Sequence, residues 1–214
     1  MKSFMHYLKS GVVLTLILMV LCSVIYPLVL TGLGQLIFNK QANGNMIEIN
    51  GQAVGSELVG QDFTDPKFFR GRVSSVNYNT YTEEDLVADE NGDTAYAGVS
   101  SGTFNYGASN PDLAARVEED MNEFLESHPG VKKEDIPADL LTASGSGLDP
   151  HISVESARIQ VPAVSAASGL AEDELNRIIE QNTEHKFLGV FGEEKVNVLK
   201  ANIDIAKAIG LVQE

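Results

Sequence analysis

The chain has 214 residues, 43% hydrophobic and 21% charged, so it can build a packed core and wholesale disorder is excluded. It carries 30 Asp and Glu against 15 Lys and Arg, a net charge of −15 that excludes binding by a basic surface to nucleic-acid phosphates. A single cysteine excludes a disulfide framework.

From Ser10 to Asn39, thirty consecutive residues carry no Asp, Glu, Lys, Arg or His. That run exceeds the roughly 20 residues a helix needs to cross the hydrocarbon layer. It predicts one transmembrane helix over 11–33, after a short cytoplasmic N-terminus over 1–10. Pro27 is expected to kink its outer half. Lys2 and Lys9 would also suit a signal peptide. However, the run is longer than the roughly 7–15 apolar residues of such a segment, and no A-x-A site follows. Leu21 before Cys22 does not suit lipoprotein processing either, so a retained anchor is expected.

Lys2 and Lys9 precede the helix and no acid occurs before Glu48. The positive-inside rule therefore places the N-terminus in the cytoplasm and 34–214 outside, as an extracytoplasmic soluble domain. That part holds 13 bases against 30 acids, a net −17. The acidity reads as a soluble, self-repelling surface or as a cation-enriching one near a pore mouth. Screening within about 8 Å at physiological salt favours the first. Without cysteine, the domain must fold on its core alone.

Asn45 to Val54 predicts a hairpin, with Ile47 and Ile49 alternating and Asn50-Gly51 as the two-residue turn. Gly60 to Gly107 is rich in Gly, Asn, Ser and Tyr and predicts a long irregular segment. Asn110 to His128 predicts a helix, capped by Asn110, with Pro111 in its first turn and Pro129-Gly130 as its stop. Leu113, Val117, Met121, Phe124 and Leu125 keep helical spacing.

Ser153 predicts the start of a shorter helix, interrupted near Pro162 and ended at Gly169. Ala171 to Asn182 predicts another, with Leu175, Ile178 and Ile179 on one face. Lys195 to Leu199 predicts a strand and Asn202 to Ile209 a closing helix. The fold class is a single N-terminal transmembrane helix followed by an α+β soluble domain.

The densest chemistry lies in Thr142 to Ser153, T-A-S-G-S-G-L-D-P-H-I-S. Ser146, Asp149 and His151 suggest a hydrolase triad, but three residues so close in sequence can hardly align nucleophile, base and orienter. Ser144 also stands where a nucleophile elbow needs glycine. A rigid loop-to-helix junction fits better. Gly145 and Gly147 permit positive φ and close approach. Asp149 forms an Asx-type turn stiffened by Pro150, and Ser153 caps the next helix. Amides and hydroxyls at a helix start would also suit an anion.

Asp89, Asn91 and Asp93 mimic half a calcium loop, but Thr94 and Ser100 replace its glycine and bidentate Glu, so a solvated turn is expected. His6, His128, His151 and His185 show no metal spacing and read as surface or cap residues. Phe63, Phe68 and Phe69 read as core. No Walker A, Rossmann or potassium-filter motif is present. No catalytic set is visible either, so an accessory domain working through partners is expected.

Several motifs resemble the family of C subunits of Kdp potassium-transporting ATPases, over nearly the whole chain. They are T-G-L-G-Q (Thr31 to Gln35), Q-A-N-G-N (Gln41 to Asn45), G-S-E-L-V-G-Q-D-F (Gly55 to Phe63) and F-F-R-G-R (Phe68 to Arg72). N-Y-G-A-S-N-P (Asn105 to Pro111), the Thr142–Ser153 loop, and V-N-V-L (Val196 to Leu199) followed by Asn202 complete the match. Val73 and Ala108 depart from it, each standing where the family favours Pro.

The resemblance implies a non-catalytic single-pass subunit of a plasma- or inner-membrane complex, in contact with the lipid bilayer. Its partners would be a channel-like potassium-translocating subunit, a P-type ATPase subunit and a small membrane peptide. Potassium would be the transported ion. ATP is implied through the ATPase subunit, whose ATP affinity the family is described as raising as a catalytic chaperone. No cofactor is expected on this chain itself. Thr142, Ser144, Gly145, Ser146, Gly147, Asp149, Pro150, His151 and Ser153 are expected to set loop shape or meet a partner. Gly32 and Gly34 are expected to let the helix pack closely against others. From the residues alone, an anchored extracytoplasmic solute- or cation-binding domain remains the alternative.

Overall fold

The computed structural model describes residues 2–89, 92–96 and 98–212. The chain divides into two units, Met1–Met46 and Ile47–Glu214.

The first unit is one long helical stretch: α1 (Lys2–Val20), a π-helical turn (Leu21–Ile25) and α2 (Tyr26–Ile37), followed by the single turn α3 (Asn39–Ala42). Phe4–Ile37 is long and apolar enough to cross a membrane. The π turn ends two residues before Pro27, with the Tyr26 N–H reaching back five residues to the Leu21 carbonyl. Pro27 offers no N–H and its ring crowds the preceding turn, so a locally widened helix is the physical answer to it. Beyond Ile37 the side chains of Gln35, Asn39 and Asn43 bond one another and hold the turn together.

The second unit opens with the hairpin β1 (Met46–Ile49) and β2 (Gln52–Ser56). Asn50 and Gly51 turn it with φ of 53° and 76°, both left-handed, as a tight two-residue loop demands. Among the described residues, the stretch up to Pro111 holds only 3-10 turns, at Asn77–Asn79 and Glu84–Leu86. Helix α4 (Pro111–Ser127) follows, with the Asn110 side chain accepting from Asp112 N at 2.8 Å. The single turn α5 (Ala138–Leu141) and strand β3 (His151–Ser153) lead into α6 (Val154–Ser168). Helix α7 (Glu172–Gln181), strands β4 (Thr183–Glu184) and β5 (Lys195–Asn197), and α8 (Val198–Ala208) complete the unit.

Three expectations change. Helix α6 runs through Pro162 without a break. Pro162 is exposed while Val161 and Val164 are buried on the other face, so core packing outweighs the one backbone bond that proline removes. The expected strand over 195–199 stops at Asn197, whose side chain accepts from Lys200 N at 3.1 Å and so starts α8 earlier than its apolar spacing suggests. Third, β3 and β4 flank β5 in an antiparallel sheet of order β3–β5–β4, with Ile152 opposite Val196 and Val196 opposite Thr183. Strands of two or three residues carry too little alternation to be read from sequence.

Ile152 and Val196 face a core shared with Phe69, Phe124, Leu175, Ile179 and Ile205. Each such side chain contributes roughly 1.5–3 kcal/mol on burial. Phe69 belongs to a segment with no strand to satisfy its backbone. Asn202, 2% exposed on α8, supplies what a strand would: its Oδ1 accepts from Phe69 N and its Nδ2 donates to Phe69 O, both at 2.8 Å. Gln160 on α6, fully buried, does the same for Arg70, at 2.9 and 3.3 Å.

Asn202→Ala leaves the Phe69 N–H and C=O unpaired in the core. It is expected to lower unfolding free energy by roughly 2–5 kcal/mol, read as a shift of the urea midpoint of the detergent-solubilised chain. A shift worth under about 1 kcal/mol would show that Asn202 is not a clamp.

Candidate functional site

The Thr142–Ser153 loop is tied down from four directions. The Leu148 carbonyl accepts from Gly60 N at 2.8 Å and the Pro150 carbonyl from Val198 N at 2.9 Å. The Ser146 carbonyl accepts from Gly102 N at 2.8 Å and from the Ser101 hydroxyl at 3.1 Å. The Ser74 hydroxyl donates to the Gly147 carbonyl at 2.6 Å. Segments distant in sequence thus converge on one short loop.

Arg72 is its electrostatic tie. Its Nη1 meets Asp149 Oδ2 at 3.0 Å, and its Nη2 reaches the Thr142 carbonyl at 3.4 Å. Burial alone would raise the Asp149 pKa. Hydrogen bonds from the His151 side chain and backbone, then the Arg72 guanidinium, outweigh it and hold the carboxyl at about 2. Tyr78 braces Arg72 in turn, its hydroxyl donating to the Arg72 carbonyl at 2.7 Å. Burial, with Asp149 and Asp62 nearby, pushes that hydroxyl up to about 12, so it stays a donor at any ordinary pH. Asn77, Tyr78 and Asn79 are all left-handed, with φ of 47°, 50° and 55°. Such backbone costs roughly 1–2 kcal/mol per residue. It persists here because Ser74 Oγ accepts from Tyr78 N at 2.9 Å while Asn79 grips both backbone groups of Ser100.

The expected loop residues find distinct places. Ser144 is 4% exposed and accepts from Gly147 N at 2.8 Å, so it shapes the loop from inside. Ser146 Oγ accepts from Leu148 N at 3.1 Å. His151 lies between Asp149 and Glu184, at 3.5 and 3.4 Å, and bonds neither serine, so no triad is assembled. Asp149 makes the expected Asx turn to His151 N at 3.0 Å, and Ser153 caps α6 through Ser156 N at 3.0 Å. Pro150 is buried; Thr142 and Gly145 are exposed. Gly147 has φ of 68°, and a Cβ there would lie 2.7 Å from Val76 and 2.9 Å from the Gly102 carbonyl. Gly145 departs from expectation: its φ is not positive and a Cβ would meet open space. In α2, a Cβ on Gly32 meets nothing within 4 Å, and one on Gly34 lies 3.8 Å from Ala42.

The start of α6, which suits an anion, is filled from within. Asp139 accepts from Ser153 N at 2.7 Å, Ser153 Oγ at 3.1 Å and Ser156 Oγ at 2.6 Å. Beside the loop opens a cleft of about 370 Å³, lined by Asp62, Phe68, Arg70, Arg72 and Tyr78, with His128 in its wall. His128 corrects the surface reading: it is 7% exposed and stacks on Phe124 at 4.0 Å, and burial lowers its pKa. His185 is exposed and pairs with Glu194 at 2.9 Å. Asp89 accepts from Asp93 N at 3.0 Å, an ordinary turn; Asn91 lies outside the described residues. Among the described residues no three His, Cys, Asp or Glu gather as a metal site.

Sequence reasoning missed Arg72, Ser74, Tyr78 and Asp139 as parts of this site. The only signal was Arg72 inside F-F-R-G-R; its partner Asp149 lies 77 residues away.

A helix long and apolar enough to cross a membrane, followed by an α+β unit organised round a braced loop, is the layout of a single-span membrane protein. The chain belongs to the KdpC family: the family model, described as the c chain of the K+-transporting ATPase, matches residues 8–207. It is 59% identical to the potassium-transporting ATPase KdpC subunit of Clostridioides difficile, over 97% of this chain and 100% of that one. The KdpC subunit of Clostridium kluyveri is 54% identical over 99% and 98% of the two chains. That of Caldanaerobacter subterraneus subsp. tengcongensis is 44% identical over 94% and 95%.

Gly147→Ala is expected to destabilise the fold by roughly 2–4 kcal/mol, from left-handed strain plus contact with Val76 and Gly102. Gly145→Ala should change stability by less than about 0.5 kcal/mol. Equal effects in thermal or urea melts would refute the assigned roles. Because the Asp149 pKa is depressed, its charge stabilises the fold above about pH 4, and that contribution, about 2 kcal/mol, fades as the pH falls towards 2. The stability gap between wild type and Asp149→Asn should therefore narrow below about pH 4; a pH-independent gap counts against the ion pair.

Proposed function

We propose that the chain is a non-catalytic accessory subunit of a high-affinity, ATP-driven potassium uptake complex. The observation that carries this reading is the family match across residues 8–207, which spans both the apolar helix and the braced loop. The relatives of matching length are named as subunits of a potassium-transporting ATPase. In this reading the apolar helix anchors the chain among the membrane helices of its partners, a channel-like translocating subunit, a P-type ATPase subunit and a small membrane peptide. Gly32 and Gly34 leave room for close packing there.

Charge supports an orientation with residues 1–10 in the cytoplasm and 34–214 outside: Lys2 and Lys9 precede the helix, and all 30 acids follow it. ATP is then out of reach of the folded domain, and any rise in the ATPase subunit's ATP affinity is coupling through the partners. The hydrogen bonding of the Thr142–Ser153 loop supports a scaffolding role. Its hydroxyls, its amides and the Asp149 carboxylate are taken up within the loop or by neighbouring segments, and Thr142 and Gly145 form the exposed edge that a partner surface can reach.

Two measurements test the reading. Affinity purification of the tagged full chain should bring down the large membrane subunits of the complex, and complex lacking the chain should show a higher KM for ATP. Protease added to right-side-out vesicles should digest the domain; digestion only from the cytoplasmic face overturns the orientation. Purification of the chain alone under mild detergent overturns the subunit reading.

A further inference from the structure

The tip of the loop between β4 and β5 is F-L-G-V-F, Phe187 to Phe191. Phe187, Leu188, Val190 and Phe191 are 71%, 77%, 74% and 64% exposed. Four large apolar side chains within five residues are more than scattered surface hydrophobics, which occur singly. The tip is also built. Phe187 N donates to the Phe191 carbonyl at 2.8 Å and Phe191 N to the Phe187 carbonyl at 3.0 Å. Leu188 sits at φ of 53°, a conformation that a bulky residue rarely adopts, and Gly189 follows at 72°. The closed turn holds the side chains outward instead of letting them fold back on the core.

Around this apolar centre lies a polar rim. Lys195 pairs with Glu184 at 3.2 Å, and His185 with Glu194 at 2.9 Å. An apolar centre within a charged margin is the layout of a protein–protein contact, where aromatic anchors supply most of the affinity. Charge selects among occupants. The chain beyond the apolar helix holds 13 bases against 30 acids, a net −17, so a second copy of the same domain is repelled. An anionic lipid surface is repelled likewise. Membrane-inserting loops carry basic flanks, whereas around this tip Glu184, Glu193 and Glu194 outnumber Lys186 and Lys195.

We infer that the Phe187–Phe191 tip is an anchor that seats in an apolar recess, with basic groups at its mouth, on another subunit of the same potassium-transporting complex. The inference rests on the subunit reading above.

The test uses the assembled complex, purified through a tag on a different subunit. A photoreactive benzoylphenylalanine at position 188 should crosslink to another subunit, identified by mass spectrometry. Adducts only with lipid, only with a second copy of this chain, or with nothing while the chain is present in the complex would overturn the inference. Phe187→Ser with Phe191→Ser should weaken retention of the chain in the complex at least about tenfold, two anchors being lost. Its melting curve should match wild type, since neither ring packs in the core. Unchanged retention overturns the anchor. If the unsubstituted chain itself fails to co-purify, the subunit reading falls and the anchor with it; if it co-purifies and only the tip results fail, the anchor alone falls.

Discussion

The constraint on which the second unit depends is the need to satisfy backbone groups in a buried segment that forms neither helix nor strand. Phe69 lies in the core, yet the chain around it is irregular. A buried, unpaired N–H and C=O would offset much of what the ring contributes. Asn202 and Gln160 resolve this by offering amide side chains that mimic a neighbouring strand. Asn197 extends the pattern, donating to the Glu57 carbonyl at 2.8 Å while capping α8. Three helix- or strand-borne amides thus let the long irregular segment lie against a core it could not otherwise enter.

Once Phe69 and Arg70 are held, Arg72 is delivered two residues further on, against Asp149. The loop-to-helix junction then follows from local chemistry: an Asx turn, a serine cap, and Asp139 at the start of α6. The charge of Asp149 is kept by hydrogen bonds despite partial burial, and the Tyr78 hydroxyl is kept protonated by burial. Both effects tighten the same brace. A loop built this way presents a fixed shape, which suits an assembly surface better than a reacting centre, where groups must change partners.

Elements with strong local signals were legible. The apolar run, the Asn50-Gly51 hairpin, the Asn110 cap and the Leu175/Ile178/Ile179 face each depend on neighbours within a few residues. The short strands β3 and β4 were not, since two or three residues show no period. The continuity of α6 through Pro162 was not either, because the propensity penalty is local and the packing that overrides it is not. Gly145 and Gly147 looked alike in sequence; only the approach of Val76 and the Gly102 carbonyl separates them.

The sequence by itself therefore determined the long apolar helix, the α+β class, the acidity and the family, because length, periodicity, net charge and motif spacing are properties of the chain read in order. Tertiary structure decided which residues work together. Arg72 with Asp149, Asn202 with Phe69, and Asp139 with Ser153 are separated by 77, 133 and 14 positions. It also decided that the tip at Phe187–Phe191 stands outside the core while Phe69 fills it. Both stretches are aromatic and apolar, but the backbone of Phe69 is paired by Asn202 inside the core, whereas that of the tip closes on itself between Phe187 and Phe191.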